Sequence, residues 1–340
     1  MGRTTILDIA RRAGVSTATV DRVLNGRAGV AAANRHRVLQ AARDLGYLPL
    51  EGMLPLPSRP VHLEFLIPMI QNGFMGELAA SIRSFAATVP LVASCSVRAL
   101  DGFGPQSVLP ALESIALRTS GIGLVAADHP KTREAIRRLG EAGLRVVTIA
   151  SDLPQSGRSA YVGVDNRVAG RTAAQLLGRM VPGTGSVALF MGSHAYDGHQ
   201  GREAGFRAVL ERDYPALTLL PSVETGERSD RTRAAMTQIL RSTPDLAGVY
   251  CVGAGRTGIV AALDELRPAH RPLVIMHDLT DRTHAWLADG LIDVVIDQNV
   301  RLVGEQAVIR LLGAIAASAP LLRLKDIEPR IILRENLPPR

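Results

Sequence analysis

A glycine-rich loop is the part of this sequence whose residue types and spacing most directly suggest chemistry. Residues 253–258, GAGRTG, are a literal G-x-G-x-x-G that follows the strand-like run GVYCV and opens a helical pattern, with Asp278 twenty residues further on. Dinucleotide-binding folds use such glycines to bring backbone N–H groups against a pyrophosphate, and the acidic residue binds the ribose. One hypothesis is therefore an NAD-dependent enzyme. Against it, the loop lies far from the first strand of the chain, and no acid and base paired for hydride transfer stand out.

The same loop allows a different use. Backbone N–H groups at the start of a helix, with Arg256 beside them, are suited to holding a phosphate or carboxylate group of a ligand. This second hypothesis, a loop that binds an anionic group of a ligand, requires no catalysis. It remains an alternative to the NAD-dependent enzyme.

Other reactive side chains give weaker signals. The spacing of His194, Asp197 and His199 in HAYDGH could suggest a metal, but no third firm ligand on a rigid element is visible, so polar loop residues are the simpler interpretation. No G-x-S-x-G nucleophile motif is present. Cys95 and Cys251 lie in apolar runs and are expected to be buried thiols in a reducing compartment. The sequence predicts neither a metal nor a cofactor.

The elements that must position these residues alternate between strands and helices from His62 onward. The strand-like runs are HLEFLI, LVASCSV, IGLVA, VVTIA, AYVGV, SVALFM, TLLPSV, GVYCV, LVIMHD and DVVIDQ. Amphipathic helical patterns lie between most of them, for instance at 132–142, 168–180, 202–211, 230–240 and 303–317. Such alternation predicts doubly wound parallel sheets, and about 280 residues exceed one such unit, so two lobes are expected.

The first fifty residues predict a different structure, three short helices. Thr5 and Asp8 form a capping box for the first, Gly14 makes a turn, and Ser16 caps a second helix over 17–25. A third helix is predicted over 33–45. A helix, a glycine-containing turn and a second helix form the arrangement that places a helix in the DNA major groove.

Charge supports a nucleic-acid partner for this segment. Residues 1–60 hold nine arginines against three aspartates and one glutamate, which is +5 of the chain's net +7. Basic residues near phosphate release counterions, and this supplies much of the affinity for DNA. The sequence has no run of eighteen apolar residues and no secretory signal pattern, so neither a membrane span nor export is expected and a cytoplasmic location is predicted.

The N-terminal segment resembles the DNA-binding headpiece of the LacI/GalR family of bacterial transcriptional regulators. The matching residues are Thr5, Asp8, Ile9, Ala10, Ala13, Gly14, Val15, Ser16, Thr19, Val20, Arg22, Val23, Asn25, Arg35, Val38, Ala41, Ala42, Leu45, Gly46, Tyr47 and Pro49. The resemblance implies that Thr17, Ala18 and Arg22 face base edges, with Arg22 suited to a bidentate contact with guanine. It places Ser16, Thr19 and Asn25 nearer phosphates, and adds Thr5 and Arg35 to the DNA-binding set.

The resemblance also implies a hinge over 50–60 in which a leucine enters the minor groove and kinks the DNA. Leu56 stands at that position by alignment, and Leu54 is the alternative. Pro55 and Pro57 flank Leu56 and disfavour helical geometry, so we expect no regular hinge helix in the free protein.

The rest of the chain resembles the type I periplasmic sugar-binding fold that forms the effector domain of this family. Its most recognisable stretches are YVGVDNRVAGRTAAQLL, GREAGFRAVL, MHDLT and IDVVIDQNV. The resemblance implies a headpiece over 1–49 and an effector domain over 61–340. The first lobe is expected at about 61–160 plus 294–323 and the second at about 161–293 plus 324–340.

Family positions also imply a ligand site between the lobes. The residues carried over are Phe74, Asp128, Arg202, Asp278 and Gln298, and Arg256 joins them through the glycine-rich loop. The five carried-over residues lie just beyond a predicted strand's C-terminal end, where ligands bind in such folds. The chain departs from the family at Gly253, where many relatives have an asparagine that contacts ligand.

These inferences together predict a homodimeric transcriptional regulator, a repressor in its family's usual mode, rather than an enzyme. Its expected partners are a pseudo-palindromic operator DNA and a small effector, either a sugar, a polyol, a sugar acid or a sugar phosphate.

Overall fold

The computed structural model describes residues 5–24, 29–45, 47, 57, 59–69, 73–316 and 325–339. The helices are α1 (Ile6–Ala13), α2 (Thr17–Leu24), α3 (Ala32–Asp44), α4 (Gly73–Thr88), α5 (Pro105–Glu113), α6 (Pro130–Glu141), α7 (Asn166–Met180), α8 (Asp197–Asp213), α9 (Ser229–Ser242), α10 (Arg256–Leu266), α11 (Asp281–Ala288) and α12 (Val300–Ile315). The strands are β1 (Val61–Pro68), β2 (Val92–Leu100), β3 (Gly121–Leu124), β4 (Arg145–Ile149), β5 (Ala160–Val162), β6 (Gly185–Met191), β7 (Leu217–Leu219), β8 (Val223–Glu224), β9 (Leu246–Cys251), β10 (Leu273–His277), β11 (Val294–Asp297) and β12 (Arg330–Ile332).

The N-terminal helices form a small domain with its own core. The predicted capping box is present: Thr5 N donates to Asp8 Oδ2 at 2.9 Å, and Asp8 N donates to Thr5 Oγ1 at 3.3 Å. Gly14 ends α1 in the left-handed region at φ 63°, which favours glycine. Ile9, Val20 and Val38 are fully buried and bring the three helices together.

The first lobe contains a five-stranded sheet in the order β2-β1-β3-β4-β5, and every pairing in it is parallel. Strands β3 and β4 are almost wholly buried because helices cover both faces, as parallel crossovers require. Helix α12 returns to this lobe and packs against α4 and the sheet.

The second lobe contains a seven-stranded sheet in the order β12-β11-β10-β9-β6-β7, with β8 also pairing with β6. All its pairings are parallel except that of β12 with β11. The predicted single strand TLLPSV is two short strands, β7 and β8, separated by Leu220, Pro221 and Ser222. Proline lacks the N–H that a continuous strand would donate.

The lobe boundaries need two corrections. Residues 294–297 were expected in the first lobe, but they form β11, which pairs with β10 in the second sheet. The chain therefore crosses after Asp297 and re-enters the first lobe at α12. The crossing expected near Ala160 comes after β5, which still belongs to the first sheet. The crossing expected near Leu324 lies outside the described residues.

Each sheet reverses its strand order beside its first strand. In the first sheet this point lies between β1 and β3, and in the second between β6 and β9. A crevice opens at such points beyond the carboxyl ends of the strands, and ligands of open α/β sheets bind there. Within the described part of the chain, no helix is both long and apolar enough to cross a membrane.

Candidate functional site

A cavity with a volume of about 50 Å³ lies between the two lobes at the carboxyl ends of both sheets. Loops after β1, β2, β3 and β4 form one wall, and loops after β6, β8, β9, β10 and β11 form the other. The lining residues are Phe74, Met75, Phe103, Val125, Ala150, Ser151, Tyr196, Gly198, His199, Arg202, Glu227, Gly253, Asp278 and Gln298. Four residues of the predicted effector set, Phe74, Arg202, Asp278 and Gln298, are therefore brought together here.

The wall from the first lobe is mainly apolar. Phe74 lies in the first turn of α4 and is buried. Phe103, which follows β2, meets Tyr196 of the second lobe with 4.4 Å between ring centroids. Apolar and aromatic surfaces of this kind cover the C–H faces of sugar rings. Neither Phe103 nor Tyr196 was predicted to line the site. Each lies in a loop, where no hydrophobic pattern indicates which side chains face a cavity.

Arg202 is the buried cation of this cavity. Its Nε donates to Asn166 Oδ1 at 2.8 Å, and its Nη1 donates to the carbonyl oxygen of Val252 at 2.6 Å. These two bonds fix the guanidinium plane between α7 and the end of β9. A guanidinium so held is preorganised to donate from its remaining nitrogen to a ligand oxygen.

Asp278 and Gln298 form the second polar group of the cavity. Gln298 Nε2 donates to Asp278 Oδ1 at 2.6 Å, while Gln298 Oε1 is buried with no hydrogen-bond partner among the described residues. Asp278 adopts φ 65°, a left-handed conformation that aspartate tolerates better than most residues. A buried amide oxygen with no partner among the described residues is suited to accept a hydrogen bond from a ligand hydroxyl.

Arg256 holds Asp278 rather than lining the cavity. Its Nη1 donates to Asp278 Oδ2 at 3.2 Å and to the carbonyl oxygen of His277. Arg256 was predicted to contact the effector directly. In the structure it holds the carboxylate of Asp278 on the side away from the cavity. Arg256 does line a neighbouring cleft between the lobes, together with Glu77 and Asp281.

Asp128 is not brought into the cavity. Its carboxylate forms a bidentate ion pair with Arg133, one turn into α6. Its backbone N donates to the carbonyl oxygen of Ala195 at 3.1 Å, which joins a loop of the first lobe to one of the second. Asp128 thus lies at the lobe junction, and its carboxylate is already committed to an arginine.

Glu227 and His199 line the cavity and were not predicted as effector residues. Glu227 Oε1 accepts from Ala254 N at 3.1 Å and lies 3.7 Å from His199 Nε2. Burial raises the pKa of Glu227 above its ordinary range. Burial, followed by the nearby charge of Arg202, lowers the pKa of His199 to about 3, so this imidazole is neutral. In sequence, Glu227 lies four residues beyond the predicted strand TLLPSV, so the rule for strand ends does not single it out.

The glycine-rich loop does not need a nucleotide to explain its glycines. A Cβ added at Gly253 would lie 2.5 Å from Glu227 Oε1, and one at Gly255 or Gly258 would collide with α9 or the residue before it. Gly255 also has φ 86°. The acidic residue of the fingerprint, Asp278, is engaged by Arg256 and Gln298. Tight packing within the second lobe therefore accounts for the pattern.

The side chains of HAYDGH do not converge. His194 lies between Glu203 and Glu224, with 3.1 Å to each, whereas His199 points into the cavity. Over the described ranges, no group of three histidine, cysteine or carboxylate side chains is arranged to hold a metal ion.

The headpiece presents the predicted DNA-reading residues on one face. Ser16, Thr17, Ala18 and Arg22 are exposed, while Val20 and Val23 of the same helix are buried. Ser16 Oγ accepts from Thr19 N at 3.2 Å and caps α2. Arg35 and Thr19 are half-buried, and Thr5 is exposed at the start of α1. Asn25, Leu54 and Leu56 lie outside the described residues.

Two family models match the chain. Residues 65–317 match the periplasmic binding protein domain, and residues 5–49 match the lacI family of bacterial regulatory proteins. The first match covers most of the chain and the second covers the three N-terminal helices.

Relatives of known name are transcriptional regulators. The chain is 27% identical over 214 residues to the HTH-type transcriptional regulator DegA of Bacillus subtilis, spanning 62% of this chain and 61% of that protein. It is 26% identical to the ribose operon repressor of Halalkalibacterium halodurans, over 78% of this chain and 75% of the repressor. The alignment with DegA thus covers less than two thirds of that relative.

Solved structures with the same fold are sugar-binding proteins. A solute-binding protein from Burkholderia graminis in complex with D-arabinose superimposes with a TM-score of 0.75 at 23% identity, covering 82% of this chain and 96% of that one. GanP, a glucose-galactose binding protein from Geobacillus stearothermophilus, superimposes with a TM-score of 0.74 at 22% identity, covering 82% of this chain and 99% of that one. These structures support the fold alone. The chain belongs to the family of periplasmic binding protein domains, and its N-terminal segment is similar to the lacI family of bacterial regulatory proteins.

Proposed function

We propose that this protein is a transcriptional repressor that binds operator DNA through α2 and responds to a polyhydroxylated effector bound between its lobes. The observation that carries this proposal is the interlobe cavity, where Arg202, Asp278 and Gln298 are held ready beside an apolar wall. A domain of this kind attached to a helix-turn-helix couples ligand binding to DNA binding. The relatives named as operon repressors support the same reading.

The DNA contacts follow from the exposed face of α2. Thr17, Ala18 and Arg22 would face base edges, with Arg22 donating to guanine and the shorter side chains contacting thymine methyl groups. Ser16, Thr19 and Arg35 would lie nearer the phosphates. A homodimer would place two such helices on the half-sites of a pseudo-palindromic operator. Such a regulator would act in the cytoplasm.

The effector would bind both lobes at once and thereby change their closure. Movement of the lobes would alter the separation of the two headpieces and so change DNA affinity by a coupling free energy of about 1–3 kcal/mol. The site would bind its ligand without converting it, as expected of a regulator rather than an enzyme.

The test combines operator selection with a ligand screen. Full-length protein is used to select DNA from a random library, and the selected sequence is then measured by fluorescence anisotropy with and without sugars. A ligand at 100 times its dissociation constant should stabilise the protein by about 2.7 kcal/mol in a thermal shift. Removing residues 1–60 should abolish DNA binding and leave the ligand response. Normal operator binding by the truncated protein would refute the headpiece assignment.

The minor-groove wedge is tested separately. Leu54→Ala and Leu56→Ala are compared in a circular-permutation gel shift on the selected operator. A loss of DNA bending in either variant supports a leucine wedge from this proline-flanked segment. Unchanged bending and affinity in both would show that this protein binds without it.

A further inference from the structure

Glu227 differs from the other cavity residues in two ways: its own backbone conformation is unusual, and neighbouring residues leave space for its carboxyl group. It follows β8 and adopts φ 65°, a conformation that a residue with a side chain rarely adopts. Its side chain is buried, and Oε1 accepts from the backbone N of Ala254, at the end of β9. Strain of this kind persists only where surrounding structure holds it.

Two glycines make room for this carboxyl group. A Cβ at Gly253 would lie 2.5 Å from Glu227 Oε1 and 2.7 Å from His199 Cε1, and a Cβ at Gly192 would lie 2.7 Å from Glu227 Cγ. The carboxyl group therefore occupies the space above the ends of β6 and β9, at the switch point of the second sheet. The space that a side chain at position 253 would fill is taken by an acid from another loop.

The charges around the cavity favour one kind of ligand group. Asp278 and Glu227 both belong to the wall from the second lobe, which Arg202 also lines. Arg256 offsets the charge of Asp278 from behind, whereas His199 beside Glu227 is neutral and adds no positive charge. A carboxylate or phosphate on the ligand would therefore be accommodated beside the buried Glu227 only with this acid protonated, whereas hydroxyl and amino groups can donate hydrogen bonds to its carboxylate.

We propose that Glu227 is a specificity-determining residue: it accepts a hydrogen bond from a hydroxyl or amino group of the effector and discriminates against sugar acids and sugar phosphates. This inference rests on the proposed function, that the cavity binds a polyhydroxylated effector. It narrows that class to neutral sugars, polyols and amino sugars.

The experiment is isothermal titration calorimetry on the full-length protein with a panel of D-pentoses, D-hexoses and their polyols, each tested beside its amino, aldonate and phosphate derivatives. The tightest binder should be a neutral or amino compound, with its aldonate and phosphate at least about tenfold weaker. Glu227→Gln keeps the shape and the acceptor for Ala254 N but loses the carboxylate, so that binding should weaken about 10- to 100-fold. Glu224→Gln, at the end of β8 three residues earlier and outside the cavity lining, is the matched control and should bind within about twofold of wild type.

A size-compensation pair tests the placement independently of charge. Gly253→Asn alone should abolish binding and lower the melting temperature because its side chain collides with Glu227. Combining it with Glu227→Gly, which suits φ 65°, should restore most of the lost melting temperature, whereas binding should stay weak because the carboxyl group is gone. Melting temperatures of all variants identify any that fail to fold, and such a variant is replaced by Glu227→Asp, which should also weaken binding.

The outcomes separate the two proposals. If an aldonate or phosphate binds most tightly, or if Glu227→Gln binds its neutral ligand as wild type does, the specificity role is wrong while a sugar-derived effector stands. Absence of compensation in the paired variant also overturns it. If no compound binds at millimolar concentration, the proposed effector class fails, and the specificity role fails with it.

Discussion

The headpiece and the interlobe cavity place their functional groups in opposite environments. On α2, Thr17, Ala18 and Arg22 are exposed and project from a small core of three helices. In the cavity, Arg202, Asp278 and Gln298 are buried and hydrogen-bonded to the protein before any ligand arrives. Exposed groups can be replaced with little effect on folding, whereas buried polar groups contribute to both folding and binding. The two regions should therefore respond differently to mutation and to pH.

Arg202→Ala should have the largest effect. It leaves Asn166 Oδ1 and the carbonyl oxygen of Val252 without their donor inside the protein, which costs at least about 2 kcal/mol of unfolding free energy. Effector response should be lost as well, whereas operator affinity without ligand should be preserved. Denaturant unfolding and anisotropy measure the two effects.

Arg207→Ala is the matched control for this change. Arg207 lies further along α8, is partly exposed, and pairs with Glu203 and Glu211. Its loss should cost less than about 1 kcal/mol and leave the effector response intact. Equal destabilisation by the two substitutions would contradict the buried role of Arg202.

The cavity was predictable where a rule about sheets applied and not elsewhere. Asp278 and Gln298 follow strands β10 and β11, and the carboxyl ends of parallel strands form ligand sites. Glu227 lies three residues beyond β8 rather than directly at a strand end, and its position depends on space left by Gly192 and Gly253 in distant loops. Asp128 satisfied the same rule, yet Arg133 captures its carboxylate. The hydrophobic pattern along a strand does not predict which side chains in different loops will pair with one another.

Arg22→Ala should affect function without affecting the fold. Arg22 is exposed, so its loss should leave the melting temperature within about 1 °C of wild type, since surface substitutions usually change stability by less than 0.5 kcal/mol. Binding to the selected operator should weaken by about 1–3 kcal/mol and specificity should relax at one base pair per half-site. Anisotropy against a set of operator variants measures this. A uniform loss across all sequences would instead assign Arg22 to the phosphates.

The headpiece was predictable almost throughout, because its determinants are local in sequence. Thr5 and Asp8 are three residues apart, Gly14 ends the same helix, and the buried positions of α1 and α2 follow helical spacing. The three helices were predicted within about two residues of their observed ends. Local signals do not determine the conformation of the hinge. The wedge role of Leu54 and Leu56 remains a prediction, because both lie outside the described residues.

Thr5→Ala should produce a smaller and local effect. It removes the side-chain acceptor for Asp8 N at the start of α1, and loss of such a cap costs about 1 kcal/mol. Hydrogen exchange of the α1 amides should become faster while those of the lobes do not change. Thr5→Ser keeps the hydroxyl and is the control, so equal exchange in the two variants would argue against the cap.

The smallest expected effect is an opposite pH dependence in the two regions. Bonds from Thr5 lower the pKa of Asp8, so the stability this carboxylate gives α1 is present above the ordinary carboxyl range and is lost as pH falls through it. In the cleft beside the cavity, burial first and then Asp281, Asp278 and Asp297 raise the pKa of Glu77 to about 7. Ionisation of Glu77 is therefore unfavourable in the folded protein, and stability is lost as pH rises from about 4.5 to about 7.

Glu77→Gln isolates this second effect. The variant cannot ionise, so its melting temperature should match wild type near pH 5 and exceed it at pH 8 by roughly 2–4 °C, the shift that about 1 kcal/mol produces in a large domain. Glu113→Gln, on the exposed end of α5, changes the same charge and should show no such divergence. Calorimetry across this pH range measures both variants, while amide exchange reports α1 separately. If Glu77→Gln and Glu113→Gln follow the same profile, ionisation of Glu77 does not destabilise the fold, and the contrast in pH response between headpiece and cleft disappears.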